Sequence, residues 1–180
     1  MPGLRLVIPG QRPKPIRRKE EWGRAGRPTP VIVKENHLSI VSVRLVREAS
    51  VPYAFTGQIN APEQAVDLFR VFLEDEDREH FVALFLSTKN RPTAISTLGI
   101  GTLSQTMVHP REVFKAAILS NSAGVIICHN HPSGDPTPSK DDVALTKRLA
   151  RAGEIIGINV VDHVIVGDGS YVSMKASGLI

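Results

Sequence analysis

The sequence predicts an α/β fold in which one mixed β-sheet is flanked by helices in three layers. Two observations carry that expectation. Helical and strand patterns alternate along the chain, and runs such as "HFVALFLST" and "GVIICHN" are apolar enough to be buried strands. A third sets the scale: 180 residues, 42% hydrophobic and 22% charged, suit an ordinary globular domain with a sizeable core and some tail.

Taken in order, "HLSIVSVRLVRE" alternates as a strand should, and "VPYAFTGQI" is a loop or a second short strand. A helix is expected from Asn60, which can cap it, with Pro62 in its first turn and Glu63 three residues beyond the cap. Its apolar stripe is Ala65, Leu68, Phe69, Phe72 and Leu73, and the acidic run from Glu74 to Asp77 ends it. "HFVALFLST" and "TAISTLGIG" form a hairpin across "KNRP", followed by a third short strand, "TLSQTMV". "HPREVFKAAILS" is a helix opened by Pro110, and "GVIICHN" is the next buried strand. A helix from Ser139 to Ala152 closes at Gly153. "INVVDHVIVGD" and "YVSM" complete the chain as a hairpin over Gly167–Ser170. "GIG" near residue 100 follows no phosphate-loop pattern, so nucleotide binding gains nothing from it.

The net charge is +4, and much of the excess sits at Arg5, Arg12, Lys14, Arg17, Arg18, Lys19, Arg24, Arg27 and Lys34. Residues 1–34 lack helical or strand periodicity and are rich in Pro and Gly, so they read as a disordered basic tail before a domain spanning 35–180. That tail could touch nucleic-acid phosphates or serve as a solubilising arm. No run approaches the roughly 20 apolar residues of a membrane span, and no signal-peptide core follows the first charges. Cys128 is the single cysteine, which suits a reducing cytoplasm and rules out four-cysteine zinc sites.

One stretch stands apart: "HNHPSGDPTPSKDD", His129 to Asp142. His129 and His131 extend the strand GVIIC, and residues two apart on a strand face the same side. Cys128 then faces the core. The loop turns at Gly134, is stiffened by Pro136 and Pro138, and enters a helix near Ser139. Asp142 lies in that helix's first turn. Two imidazoles and a carboxylate, with one position left for water, are the donor set of a catalytic zinc site. A simpler reading exists, because Ser139 and Asp142 also fit a capping box. A cap accounts for those two residues and for neither histidine.

His-x-His, seven residues, Ser, two residues, Asp is the signature of the JAMM (MPN+) metalloproteases. With "REHFVALFLSTKNRP" and "DHVIVGDGSYVS", the chain from about residue 50 to 180 resembles the bacterial RadC-like JAB domain. The resemblance implies a cytidine-deaminase-like mixed sheet and a zinc ion held by His129, His131 and Asp142. It also implies an oxyanion-stabilising serine, Ser139, and a glutamate general acid/base at the start of the first hairpin strand, which matches Glu79. Glu112 is the competing carboxylate, although a place in a helix's first turn is ordinary for a surface glutamate. His109 and His163 lie further from the stretch, and His163, on a strand, reads as a satisfied half-buried histidine. Asp135 and Asp141 read as a loop acceptor and a helix-start charge.

The expected activity is zinc-dependent hydrolysis of an amide, peptide or isopeptide bond in a protein or peptide substrate. Imidazole donors favour zinc over magnesium. The rival is a DNA-associated protein that uses the basic tail on phosphates, with metal serving phosphodiester hydrolysis or structure. Full-length RadC-like proteins usually carry a helix-hairpin-helix region before the JAB domain, which the basic tail here does not resemble; a silent interaction module is the third possibility. A zinc nucleobase deaminase is excluded, because H-x-E with P-C-x-x-C is missing.

Overall fold

The apolar run that the sequence marks as a buried strand lies inside a five-stranded sheet. A computed structural model describes Ser39, Val41 and residues 45–50, 57–73, 76–101 and 108–180. The strands are β1 (His80–Leu86), β2 (Pro92–Ile100), β3 (Gly124–Asn130), β4 (Asn159–Val166) and β5 (Tyr171–Ser173). Helices α1 (Pro62–Leu73), α2 (Pro110–Leu119) and α3 (Lys140–Ile156) alternate with them. The sheet order is β2-β1-β3-β4-β5, antiparallel except for the parallel pair β3–β4. That parallel step needs a crossover, and α3 supplies it.

The sheet divides the core into two faces, giving the expected three layers. Val82, Leu84, Leu86, Ile126, Cys128, Val164 and Val166 pack under α1, which contributes Ala65, Val66, Leu68, Phe69 and Leu73. Phe81, Ala83, Phe85, Val125 and Ile127 pack on the other face against Val113, Phe114 and Ala117 of α2 and Leu149 of α3. Every residue of β1 and β3 is buried, as a strand covered on both faces requires. Each fully buried phenylalanine here stabilises the fold by about 1.5–3 kcal/mol.

Several element ends differ from expectation. Helix α1 starts at Pro62, and Gln64, not Glu63, reaches back: its Oε1 accepts from the Asn60 amide at 2.8 Å. Glu63 instead accepts from the Tyr171 hydroxyl. Helix α3 runs one turn past Gly153 and closes at Gly157, which is left-handed with φ 80°. Gly153 serves close packing: a Cβ there would lie 2.4 Å from the Ile158 carbonyl oxygen and 3.2 Å from Phe114 Cζ. Of the strand expected over residues 37–48, the described members Ser39, Val41 and 45–48 are not in a strand, and the rest lie outside the described residues. So do residues 51–56, 102–107 of the expected third strand, and the basic segment 1–34, while Val108 is buried and outside any strand.

One irregularity in β4 decides which side chain turns toward α2 and α3. Val125 pairs with Val160 and Ile126 with Asp162, so Val161 is an extra residue in β4. A bulge of this kind flips every later side chain to the opposite face. Val160 packs on the α2/α3 face; strict alternation would send Asp162 after it. The bulge sends His163 instead. Among the described residues, no helix is long and apolar enough to cross a membrane.

Candidate metal centre

The parallel strands β3 and β4 end together, and the chain leaves β3 through His131. The His131 amide donates to the Val166 carbonyl at 2.8 Å, which continues the ladder one residue beyond the strand. Strand alternation therefore places His129 and His131 on one side, and their Nε2 atoms are 3.0 Å apart. Asp142 comes to meet them from the first turn of α3. Its Oδ1 lies 3.3 Å from His129 Nε2 and its Oδ2 3.7 Å from His131 Nε2. One ligand atom from each of the three residues fits within a mutual separation of 4.8 Å, so the group could hold a metal ion. The donor chemistry fits the zinc that the resemblance implies, two imidazole nitrogens and a carboxylate oxygen.

The cap and the cluster are the same object. Ser139 is the N-cap of α3: its hydroxyl accepts from the Asp142 amide at 3.1 Å and donates to Asp142 Oδ2 at 2.6 Å. The Ser139 amide donates to that same oxygen at 2.7 Å. The capping box thus holds the Asp142 carboxylate by Oδ2 and leaves Oδ1 toward His129. The loop before it is fixed by its own bonds. Asp135 Oδ1 accepts from the Thr137 amide and hydroxyl, and the Asp135 carbonyl faces His131 Nδ1 at 2.7 Å.

Burial sets the charge states. His129 is fully buried, and desolvation pulls its pKa from 6.5 to about 4, with the Asp142 charge opposing that shift. His131, less buried, is raised above 6.5, first by its bond to Asp142, then by the Asp135 carbonyl and the charges of Asp142 and Glu79. Burial pushes Asp142 up, but hydrogen bonds from His131 and Ser139 and the charge of His129 outweigh it and hold the carboxyl below its ordinary 3.8. Phe81 walls the site on the sheet side, stacked on His129 with ring centres 6.0 Å apart.

Glu79 precedes β1, is partly buried, and is near enough for its charge to act on His131. Glu112 is engaged elsewhere, with Lys115 and with Arg111 at 3.4 Å, on the surface of α2. His109 caps α2, its Nδ1 accepting from the Arg111 amide at 3.2 Å. Two residues emerge that sequence reasoning passed over. Asn130, between the histidines, accepts from the His80 amide at 2.7 Å and donates to the Arg78 carbonyl at 2.9 Å, bracketing Glu79. His163 is neither half-buried nor remote: it is fully buried, with Nε2 2.8 Å from His129 Nδ1. The available signal was the pair Asp162–His163, two polar residues between the valines of Val160–Val161 and the apolar run Val164–Val166.

Sequence comparisons identify the family. The sequence model of the family described as RadC-like JAB domain matches residues 59–179. The chain belongs to that family. This RadC-like JAB chain is 54% identical over 134 residues to a UPF0758 protein of Desulforamulus reducens, covering 74% of the chain and 59% of the relative. A UPF0758 protein of Shouchella clausii is 53% identical over 120 residues, 67% of the chain and 52% of the relative. One from Methanosarcina mazei is 43% identical over 123 residues, 68% of the chain and 54% of the relative. The RadC-like JAB chain therefore spans between half and three-fifths of the length of these curated relatives.

Proposed function

We propose that this RadC-like JAB domain is a zinc-dependent hydrolase of the JAMM type that cleaves an amide bond in a protein or peptide. The observation that supports it is the convergence of His129, His131 and Asp142 from β3 and α3, on the spacing the JAMM signature requires. In this reading those three residues hold the ion, and zinc when bound supplies Lewis acidity and a water acidic enough to attack near neutral pH. The Glu79 carboxylate takes the proton from the attacking water and delivers it to the leaving amine nitrogen. The Ser139 hydroxyl donates to the scissile carbonyl oxygen as negative charge grows there. To do so it must leave Asp142 Oδ2, which keeps the Ser139 amide as a donor at 2.7 Å. The Phe81 wall lowers the local dielectric and strengthens each of these interactions.

Metal content by mass spectrometry tests the reading on the full chain, purified without chelator. The expected result is one zinc per chain in the wild type and in Glu79→Gln, and none in His131→Ala. Glu79→Gln should then have lost amide hydrolysis against a peptide library that the wild type cleaves, by roughly a hundredfold or more. Wild-type protein without stoichiometric zinc sinks the proposal.

A further inference from the structure

The hydrogen bond from His129 to His163 continues inward. His163 Nδ1 is 2.6 Å from Thr146 Oγ1, and that hydroxyl is 2.6 Å from the carbonyl oxygen of Asp142, one turn back on α3. His129, His163 and Thr146 are all fully buried, so water cannot substitute for a missing partner. The path thus leaves one member of the metal cluster, crosses β4, and returns to the backbone of another.

The direction of these bonds follows from counting hydrogens. A threonine hydroxyl has one. Its strongest neighbouring acceptor is the Asp142 carbonyl, a common arrangement for threonine inside a helix. Two other acceptors are in reach: the Met174 thioether at 3.3 Å is longer and weaker, and His163 Nδ1 at 2.6 Å could take the hydrogen only by leaving the Thr146 and Asp142 oxygens 2.6 Å apart with no hydrogen between them. With its hydrogen committed to Asp142, Thr146 Oγ1 can only accept from His163, which must carry its proton on Nδ1. His163 Nε2 is then a lone pair and accepts from His129 Nδ1–H. That leaves His129 Nε2 as a lone pair aimed at His131 and Asp142. The opposite direction would put a proton on His129 Nε2 and block the cluster.

We propose that His163 and Thr146 are positioning residues that lock His129 in its Nδ1–H tautomer, so that Nε2 is presented to a metal ion and the loop from β3 through β4 to α3 closes on Asp142. The proposal rests on the metal reading above. Outer partners of ligating histidines commonly act in this way, and their loss costs 10–100-fold in metal affinity.

The test is zinc affinity of the full chain, by competition with a chromophoric chelator, in Thr146→Val, Thr146→Ser and His163→Asn. Valine keeps the shape of threonine without the hydroxyl; serine keeps the hydroxyl. Thr146→Val and His163→Asn should weaken zinc binding at least about tenfold, and Thr146→Ser should stay within about threefold of wild type. A folded Thr146→Val that binds zinc as tightly as wild type overturns the proposal. A second measurement needs no variant and no metal: nitrogen-15 histidine spectra of chelator-treated wild type, with His129 neutral. A proton on His129 Nδ1 upholds the relay, and a proton on Nε2 overturns it. If wild type binds no zinc, the hydrolase reading falls, while these spectra still decide the tautomer.

Discussion

Within the cluster, one histidine is driven neutral and its neighbour is driven toward charge, and the two have opposite effects on stability as pH changes. The folded-state pKa of His129 is depressed to about 4 from 6.5, and burial lowers that of His163 as well. The unfolded chain therefore binds protons between those values that the native chain refuses, so stability is complete above about 6.5 and drains away as pH falls toward 4. For His129 alone this amounts to on the order of 3 kcal/mol. His131 is raised, so its contribution is present below 6.5 and disappears as pH climbs through its folded value. The depressed Asp142 adds a further loss in acid. Metal-free protein should accordingly melt at lower temperature in mild acid, which calorimetry across the range would show. A midpoint that stays level from neutrality to about pH 4 would contradict the buried neutral state of His129. At this scale the sequence was most legible where local spacing decides geometry, as with His129, His131, Ser139 and Asp142. It was silent where a bulge on a neighbouring strand decides: nothing in "NVVDHVIV" tells which of Asp162 and His163 will face α3.

Elements hold these side chains in place through backbone contacts made across long sequence separations. Asn130 belongs to β3, yet its carboxamide binds the two residues on either side of Glu79, some fifty positions earlier. Replacing it with alanine leaves the buried His80 amide unmatched, at about 1–3 kcal/mol, while the Arg78 carbonyl keeps His80 Nδ1 at 3.1 Å. Asn130→Ala should therefore keep its zinc while the His80 amide exchanges with solvent faster, as hydrogen-exchange mass spectrometry would show; unchanged exchange there would remove Asn130 from any part in placing Glu79. On the far side, the β4–β5 turn supports the loop that leads to Ser139. The Asp168 amide donates to the Gly134 carbonyl at 2.9 Å, and Gly167 lies so close that a Cβ would sit 2.2 Å from that oxygen and 2.8 Å from Pro136 Cδ. Gly167→Ala must push the loop away, so a loss of about 1–3 kcal/mol in urea unfolding is expected, with weaker zinc binding alongside. Full stability in that variant would show that the loop rests elsewhere. The sequence marked both turns by their glycines and prolines, but not that they touch. It also placed the end of α3 at Gly153, because a glycine at a helix end and a glycine under a neighbouring carbonyl look alike in one dimension.

Across the whole molecule, charge is distributed unevenly between the first 34 residues and the rest. Nine lysines and arginines there stand against Glu20 and Glu21, a net +7, so the remaining 146 residues carry −3 of the total +4. Residues 35–180, which include His129, His131 and Asp142, are thus net acidic, and their net charge gives a polyanion no attraction to them. If this chain touches DNA, the basic segment is the part whose net charge favours the contact, and the His129–His131–Asp142 cluster need take no part. Two consequences separate this from a nuclease. Affinity for duplex DNA should fall with salt on a slope no steeper than about −8 in log–log form, the limit for nine phosphate contacts at about −0.9 each. Deleting residues 1–34 should abolish that affinity and leave zinc content unchanged. Should the truncated chain still bind DNA, and His131→Ala then release it, the metal cluster itself would be the nucleic-acid site and the amide-hydrolase reading would yield to phosphodiester chemistry. If truncation removes DNA binding and zinc stays, the two activities belong to separate parts of the chain, and the substrate search can proceed on the domain with amides alone.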